Sequence, residues 1–85
     1  MSDMQVIEYD GHRIPVGKLF RDNRNSNIRT LRVVGPADTD RILLMVIRRE
    51  YEGQVTEPMR ATVMTAERLL SRDFVAVDTT SEQGR

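Results

Sequence analysis

The chain has no cysteine, no tryptophan, a single histidine and a single lysine among its 85 residues. Without cysteine there is no disulfide framework, no thiolate metal site and no sulfur nucleophile. With His12 as the only histidine, a Ser-His-Asp arrangement would have to use it, and it follows a hairpin turn where solvent reaches it. Nothing marks Ser2, Ser26, Ser71 or Ser81 as a nucleophile. The expectation is a protein that is not an enzyme. No two glycines lie close enough to make a phosphate-cradling loop. Asp38 and Asp40 lack the further oxygen ligands of a calcium loop and read as turn residues, so neither a metal nor a cofactor is expected.

Long apolar runs are missing too. The longest, Ile42 to Ile47, is far too short to span a bilayer, and no basic segment followed by an apolar stretch opens the chain. These features point to a cytoplasmic protein without a membrane partner. Aromatic residues are few (Tyr9, Phe20, Tyr51 and Phe74), which leaves little for stacking on nucleic-acid bases.

Charge is abundant but unevenly placed. Thirteen cations, twelve of them arginine, balance thirteen acids. Codon bias in a GC-rich genome would account for the arginine excess, so arginine richness alone is not a nucleic-acid signal. Position is more telling: Lys18, Arg21, Arg24, Arg29 and Arg32 fall in one fifteen-residue stretch whose only acid is Asp22, leaving eight cations against twelve acids elsewhere. A formally neutral chain is therefore about +4 in one segment and about −4 in the rest.

Turn residues cut the chain into short pieces, which favours strands over a helical bundle. Gln5–Tyr9 and His12–Val16 flank Asp10-Gly11, a pair suited to a two-residue hairpin turn, with Pro15 confining the return strand to an edge or a strand end. Ile28–Val34 places Leu31 and Val33 on one face and Thr30 and Arg32 on the other. After the turn from Gly35 to Asp40, Arg41–Arg49 is apolar on both faces. If Leu43, Met45 and Ile47 line the core, Ile42, Leu44 and Val46 face outward, to be covered by the first hairpin or by another subunit in a homodimer. Glu50 to Glu57 reads as a polar loop and Arg60–Thr65 as a strand. Thr65 can cap a single helical turn that directs Leu69 and Leu70 to the core, and Phe74–Val77 is a closing strand. Residues 79–85 have no apolar anchor and read as a tail.

The predicted class is all-β: one domain over residues 1–78, with an N-terminal hairpin at 5–16. The order suggests an SH3-like barrel of five to six strands with a helical turn before the last. An OB-like barrel is the alternative, though its helix would be longer and nearer the middle of the chain. In the SH3-like order the basic segment is the first long loop, with Arg21, Arg24 and Arg29 projecting from it and Arg32 on the following strand.

Residues 16–77 resemble small uncharacterised proteins of actinobacteria and their phages. The pieces that carry the likeness are Gly17-Lys18-Leu19-Phe20-Arg21-Asp22, Arg29-Thr30-Leu31-Arg32-Val33-Val34 and Glu67-Arg68-Leu69-Leu70 before Phe74-Val75-Ala76-Val77. Ile28 stands where a glycine often precedes the arginine, and the N-terminal hairpin is an addition. The resemblance implies a compact β fold encoded by a phage or mobile element and working inside a bacterial host cell. It carries no activity.

Three functional readings follow. The first is a non-enzymatic binding module that contacts an anionic macromolecule, nucleic acid foremost or else an acidic protein surface, through Lys18, Arg21, Arg24, Arg29 and Arg32. The second is a protein-interaction or homo-oligomerisation module using Ile42, Leu44 and Val46, such as a phage protein acting on a host protein. The third is a solvated loop whose arginines pair with nearby acids such as Asp22.

Overall fold

The computed structural model describes residues 5–77. The tail expected at 79–85, and the domain limit at 78, lie outside them. The described chain is mostly β, with antiparallel sheets and one short helix.

The chain opens with β1 (Val6–Tyr9) and β2 (His12–Pro15), a separate two-stranded hairpin. Its turn is the one the Asp-Gly pair predicts, with positive φ at both Asp10 (49°) and Gly11 (81°). Then come β3 (Leu19–Asp22), β4 (Ile28–Pro36), β5 (Arg41–Tyr51), β6 (Gln54–Thr56), β7 (Arg60–Thr65), the helical turn α1 (Ala66–Leu69) and β8 (Phe74–Val77). In the larger sheet the order is β6-β5-β4-β3-β8, with β7 also paired to β5. Since β4 occupies one edge of β5 from Ile42 to Glu50, β6 and β7 follow one another along the other edge.

The stretch Glu50 to Glu57, expected to be a polar loop, is instead the tip of a second tight hairpin. Strand β5 runs on to Tyr51, the chain reverses at Glu52 (φ 52°) and Gly53 (φ 82°), and β6 returns with Tyr51 opposite Gln54. The backbone needs two left-handed residues there, and only the second is a glycine. Between β6 and β7, Met59 also has positive φ (51°). From Arg49↔Thr56 to Val46↔Arg60, β5 moves three residues while its partner moves four, so the edge strand carries one extra residue around Pro58. An extra residue bends the strand and ends regular pairing locally.

The expected outward set on β5 is corrected by the register. Ile42, Leu44 and Val46 are 1%, 0% and 6% exposed and belong to the core; Leu43, Met45 and Ile47 lie on the other face, half-buried. The cause is pairing: Val33 lies opposite Leu44 and Leu31 opposite Val46. Residues directly opposite in a sheet share a face, so the buried face of β4 imposes its side on the even-numbered residues of β5. Bulges between Thr30 and Leu31 and between Val33 and Gly35 keep that match as the two strands twist.

Phe20 from β3, Met64 from β7, Ala66 and Leu69 from α1, Phe74 from β8 and Ile14 from the hairpin complete the core. Thr65 caps α1 as expected, its Oγ1 accepting the Arg68 N–H at 3.2 Å. The Ala66 N–H donates to the Asp40 carbonyl at 2.8 Å, tying the helical turn to the loop before β5. With Ile14 fully buried and Ile7, Tyr9 and Val16 packed against the same cluster, the hairpin closes the core and leaves the outer face of β5 uncovered.

Truncation should separate the two faces of β5. Leu44→Ala is expected to cost about 3 kcal/mol, as for a filled core site, whereas Met45→Ala should cost less than about 1 kcal/mol. Urea denaturation of both variants checks the order, and a larger loss at Met45 would contradict the register.

Candidate anion-binding cleft

The basic segment is not one loop. Arg21 lies in β3, and Arg29 and Arg32 lie in β4; among its cations only Arg24 is in the β3–β4 loop. Arg21 and Arg29 therefore project from strands, a correction to the loop expected from sequence. Strand parity then divides the set. Arg21 and Arg32 are exposed on the outer face, where Arg21 lies opposite Thr30 and Arg32 opposite Leu19. Lys18 has the parity of buried Phe20 and Asp22 and is half-buried. Arg24 and Arg29 turn to the core side and meet at Asp22.

Asp22 is the one buried charged side chain among the described residues, 5% exposed. A carboxylate in that position is tolerated only if its oxygens find donors. Here Oδ2 accepts the backbone N–H of Arg29 at 2.8 Å and its Nε at 2.8 Å, while Oδ1 accepts Nη2 at 3.1 Å. Arg24 approaches Oδ2 at 3.5 Å. This is a two-pronged guanidinium–carboxylate pair, the strongest geometry available to these groups. Burial pushes the Asp22 carboxyl up, but the hydrogen bonds and charge of Arg29, helped by Arg24, outweigh it and hold the pKa below the ordinary 3.8. The same hydrogen bonds raise the pKa of Arg29. For these two cations, the reading in which arginines pair with a nearby acid is the one the geometry favours.

The loop itself is held at both ends. Asn23 donates its backbone N–H to the Asp73 carbonyl at 2.9 Å and its side-chain amide to the Arg72 carbonyl at 3.0 Å. Asn27 takes positive φ (53°) and accepts the Arg49 Nε at 2.8 Å. Asn tolerates that backbone region better than most residues.

These contacts assemble something the basic segment alone does not contain. Arg24, Asn27 and Arg29 form one wall of a cleft of about 390 Å³; Val46 and Arg49 of β5 form its floor, and Pro58, Arg60, Ala61 and Thr62 of the bent edge strand form the other wall. Four guanidinium groups thus border one opening, and no carboxylate lines it. Arg49 also lies over the Tyr51 ring, 5.7 Å from its centroid, and Arg60 has no ion-pair partner among the described residues. Arginine forks match the oxygens of phosphate or carboxylate, and Asn27 and Thr62 add neutral polar groups. Arg49 and Arg60 were absent from the sequence-derived set. Arg49 was detectable in principle, since the Arg48-Arg49 pair closing an alternating strand must send one cation to each face. Arg60 reaches the cleft through the extra residue near Pro58, which no local pattern announces.

The remaining candidates take structural positions. Asp38 pairs with Arg41 across the β4–β5 turn, Asp40 supplies the carbonyl that anchors α1, and His12 is exposed beside the first turn. No group of three metal-capable side chains occurs among the described residues, and no helix there is long and apolar enough to cross a membrane. No family model, no curated protein and no solved structure matches the chain.

The Asp22–Arg29 pair sets a pH dependence. Because the folded pKa lies below the unfolded one, its stabilisation is fully present above about pH 4 and disappears as the pH falls through the lowered folded value. Asp22→Asn should reduce stability at pH 7 by about 2 kcal/mol and should flatten the loss between pH 5 and pH 2. Urea denaturation across that range measures both. An unchanged acid slope would mean that other carboxylates dominate.

Proposed function

We propose that this chain is a non-enzymatic binding module that grips the phosphates of a nucleic acid in the cleft bordered by Arg24, Arg29, Arg49 and Arg60. The observation that carries the reading is the convergence of those four cations on one opening that no carboxylate lines; Arg24 and Arg29 also meet Asp22, whereas Arg49 and Arg60 have no acid partner among the described residues. Phosphate contacts require cationic donors on a frame firm enough to match a repeating anionic backbone. Three of the four come from strands, and the loop that carries Arg24 is tied down at Asn23 and Asn27.

The strand order supports an SH3-like barrel. The first and last strands of the larger sheet pair with each other, the intervening strands form a meander, and the helical turn comes just before the last strand. An OB-like barrel would place its helix earlier. The resemblance of residues 16–77 adds a setting, a phage- or mobile-element-encoded protein working inside a bacterial cell.

Zero net charge confines the contact to one side, so affinity should be modest and strongly dependent on salt. With Arg49 and Arg60 engaging about two phosphates, log K should fall against log salt with a slope of about −2. The few exposed aromatic groups favour backbone contact over base stacking, and duplex should bind at least as well as single strand. Fluorescence anisotropy of labelled duplex and single-stranded DNA at 50 and 200 mM salt tests this, with Arg60→Glu and Arg49→Glu expected to weaken binding at least tenfold. No binding at low salt, or binding indifferent to both substitutions, overturns it.

A further inference from the structure

The register that buries Ile42, Leu44 and Val46 leaves the other half of an apolar strand without a cover. On the outer face Met45 lies between Arg32 of β4 and Ala61 of β7, and Leu43 lies opposite Val63. Leu43, Met45 and Ile47 are half-buried, while Val34 and Val63 are 40% and 46% exposed. Scattered apolar residues need no explanation, but these are contiguous across three strands.

The cations around them have a pattern of their own. One row across the sheet reads Val75, Arg21, Thr30, Arg48, and the next reads Val77, Leu19, Arg32, Met45, Ala61. Arg32 is thus diagonal to both Arg21 and Arg48 on the same face, and cross-strand diagonals lie within reach of long side chains. All three are exposed, and none forms an ion pair among the described residues. The acid on this side of β5 is Glu50, two residues beyond Arg48, and it is not paired with it.

We infer that the outer face of β3–β4–β5–β7 docks an amphipathic segment of another protein, apolar in the middle and acidic along one flank. Met45 and its neighbours take the apolar side chains, methionine being well suited to adapt to them, and Arg21, Arg32 and Arg48 take the carboxylates bidentately. Charge decides between occupants. A second copy of the chain would bring three unpaired arginines towards the same three, and like charges brought together repel. A duplex backbone would satisfy the arginines, but its phosphates would leave Leu43, Met45 and Val63 without an apolar counterpart. An acidic-apolar segment satisfies both parts of the face. This surface is separate from the Arg49/Arg60 cleft, so the two readings stand or fall independently.

The probe is a labelled sixteen-residue helical peptide with a leucine stripe flanked by glutamates. Its two controls have lysine in place of glutamate and serine in place of leucine. Amide shift perturbation and anisotropy on the whole chain should show the glutamate–leucine peptide binding, with shifts centred on Arg32, Leu43, Met45 and Val63. Binding should weaken at least tenfold with Val63→Asp or Arg32→Glu and remain unchanged with Arg60→Glu. Val63 and Arg32 are exposed, so both variants should keep the fold, which the spectra themselves report. The proposal is overturned by equal binding of the lysine control or by shifts elsewhere. It is overturned equally by a dimer in light scattering that Val63→Asp dissolves, or by duplex DNA mapping to this face while the peptide does not bind.

Discussion

A β-strand sends successive side chains to opposite faces, and β5 is where that constraint governs everything else. It is the longest strand of the larger sheet, paired with β4 along one edge and with β6 and β7 in succession along the other. A slip of one residue would exchange Ile42, Leu44 and Val46 for Leu43, Met45 and Ile47 and turn the whole strand over. Both sets are apolar, so β5 alone cannot choose. The choice comes from β4, where Leu31 and Val33 alternate with Thr30, Arg32 and Val34, and only one assignment buries the apolar members without burying Arg32.

The same parity decides what the cations can do. It sends Asp22 towards the core together with Phe20, and a carboxylate there requires a partner. Arg29 is drawn onto it through three hydrogen bonds, including one from its own backbone, which fixes the start of β4 relative to the end of β3. Phe74 on the other side of β3 is approached by Arg29 and Arg68, each 5.9 Å from its ring centroid. The pair thus joins β3, β4 and β8 at one end of the sheet. It also removes Arg29 from the pool of free cations, so the charge counted along the sequence overstates what a partner would meet at that residue.

Local chemistry made much of this legible. Asp10-Gly11 gave the first turn, Thr65 gave the cap, and the alternation of Ile28–Val34 gave the buried face of β4. The strand at Leu19–Asp22 was hidden inside the stretch read as a loop, so its pairing with β8 was not foreseen. What escaped was non-local. The Glu52-Gly53 turn was hidden because glutamate lacks the short polar side chain that lets asparagine and aspartate favour left-handed backbone. The face of β5 was hidden because its neighbour decides it. The cleft was hidden because it joins residues from Arg24 to Thr62, brought together by an extra residue in an edge strand.

The dipeptide Arg48-Arg49 shows how far the segment view of charge falls short. The two residues are adjacent in the chain, yet Arg48 lies opposite Thr30 on the outer face and Arg49 opposite Arg29 at the cleft. Each joins cations that the sequence placed in the basic segment, Arg21 and Arg32 on one side and Arg24 and Arg29 on the other. The apparent single patch is therefore two surfaces back to back across β4 and β5. One is polar and concave; the other is flat and half apolar. The two surfaces differ in chemistry even though arginine lines both: the cleft sets its four guanidinium groups beside Asn27 and Thr62, whereas the outer face sets its arginines beside Leu43, Met45 and Val63. A chain with no net charge can in this way set arginines together on two opposite faces, while Asp10, Asp38, Asp40 and Glu52 sit in the turns.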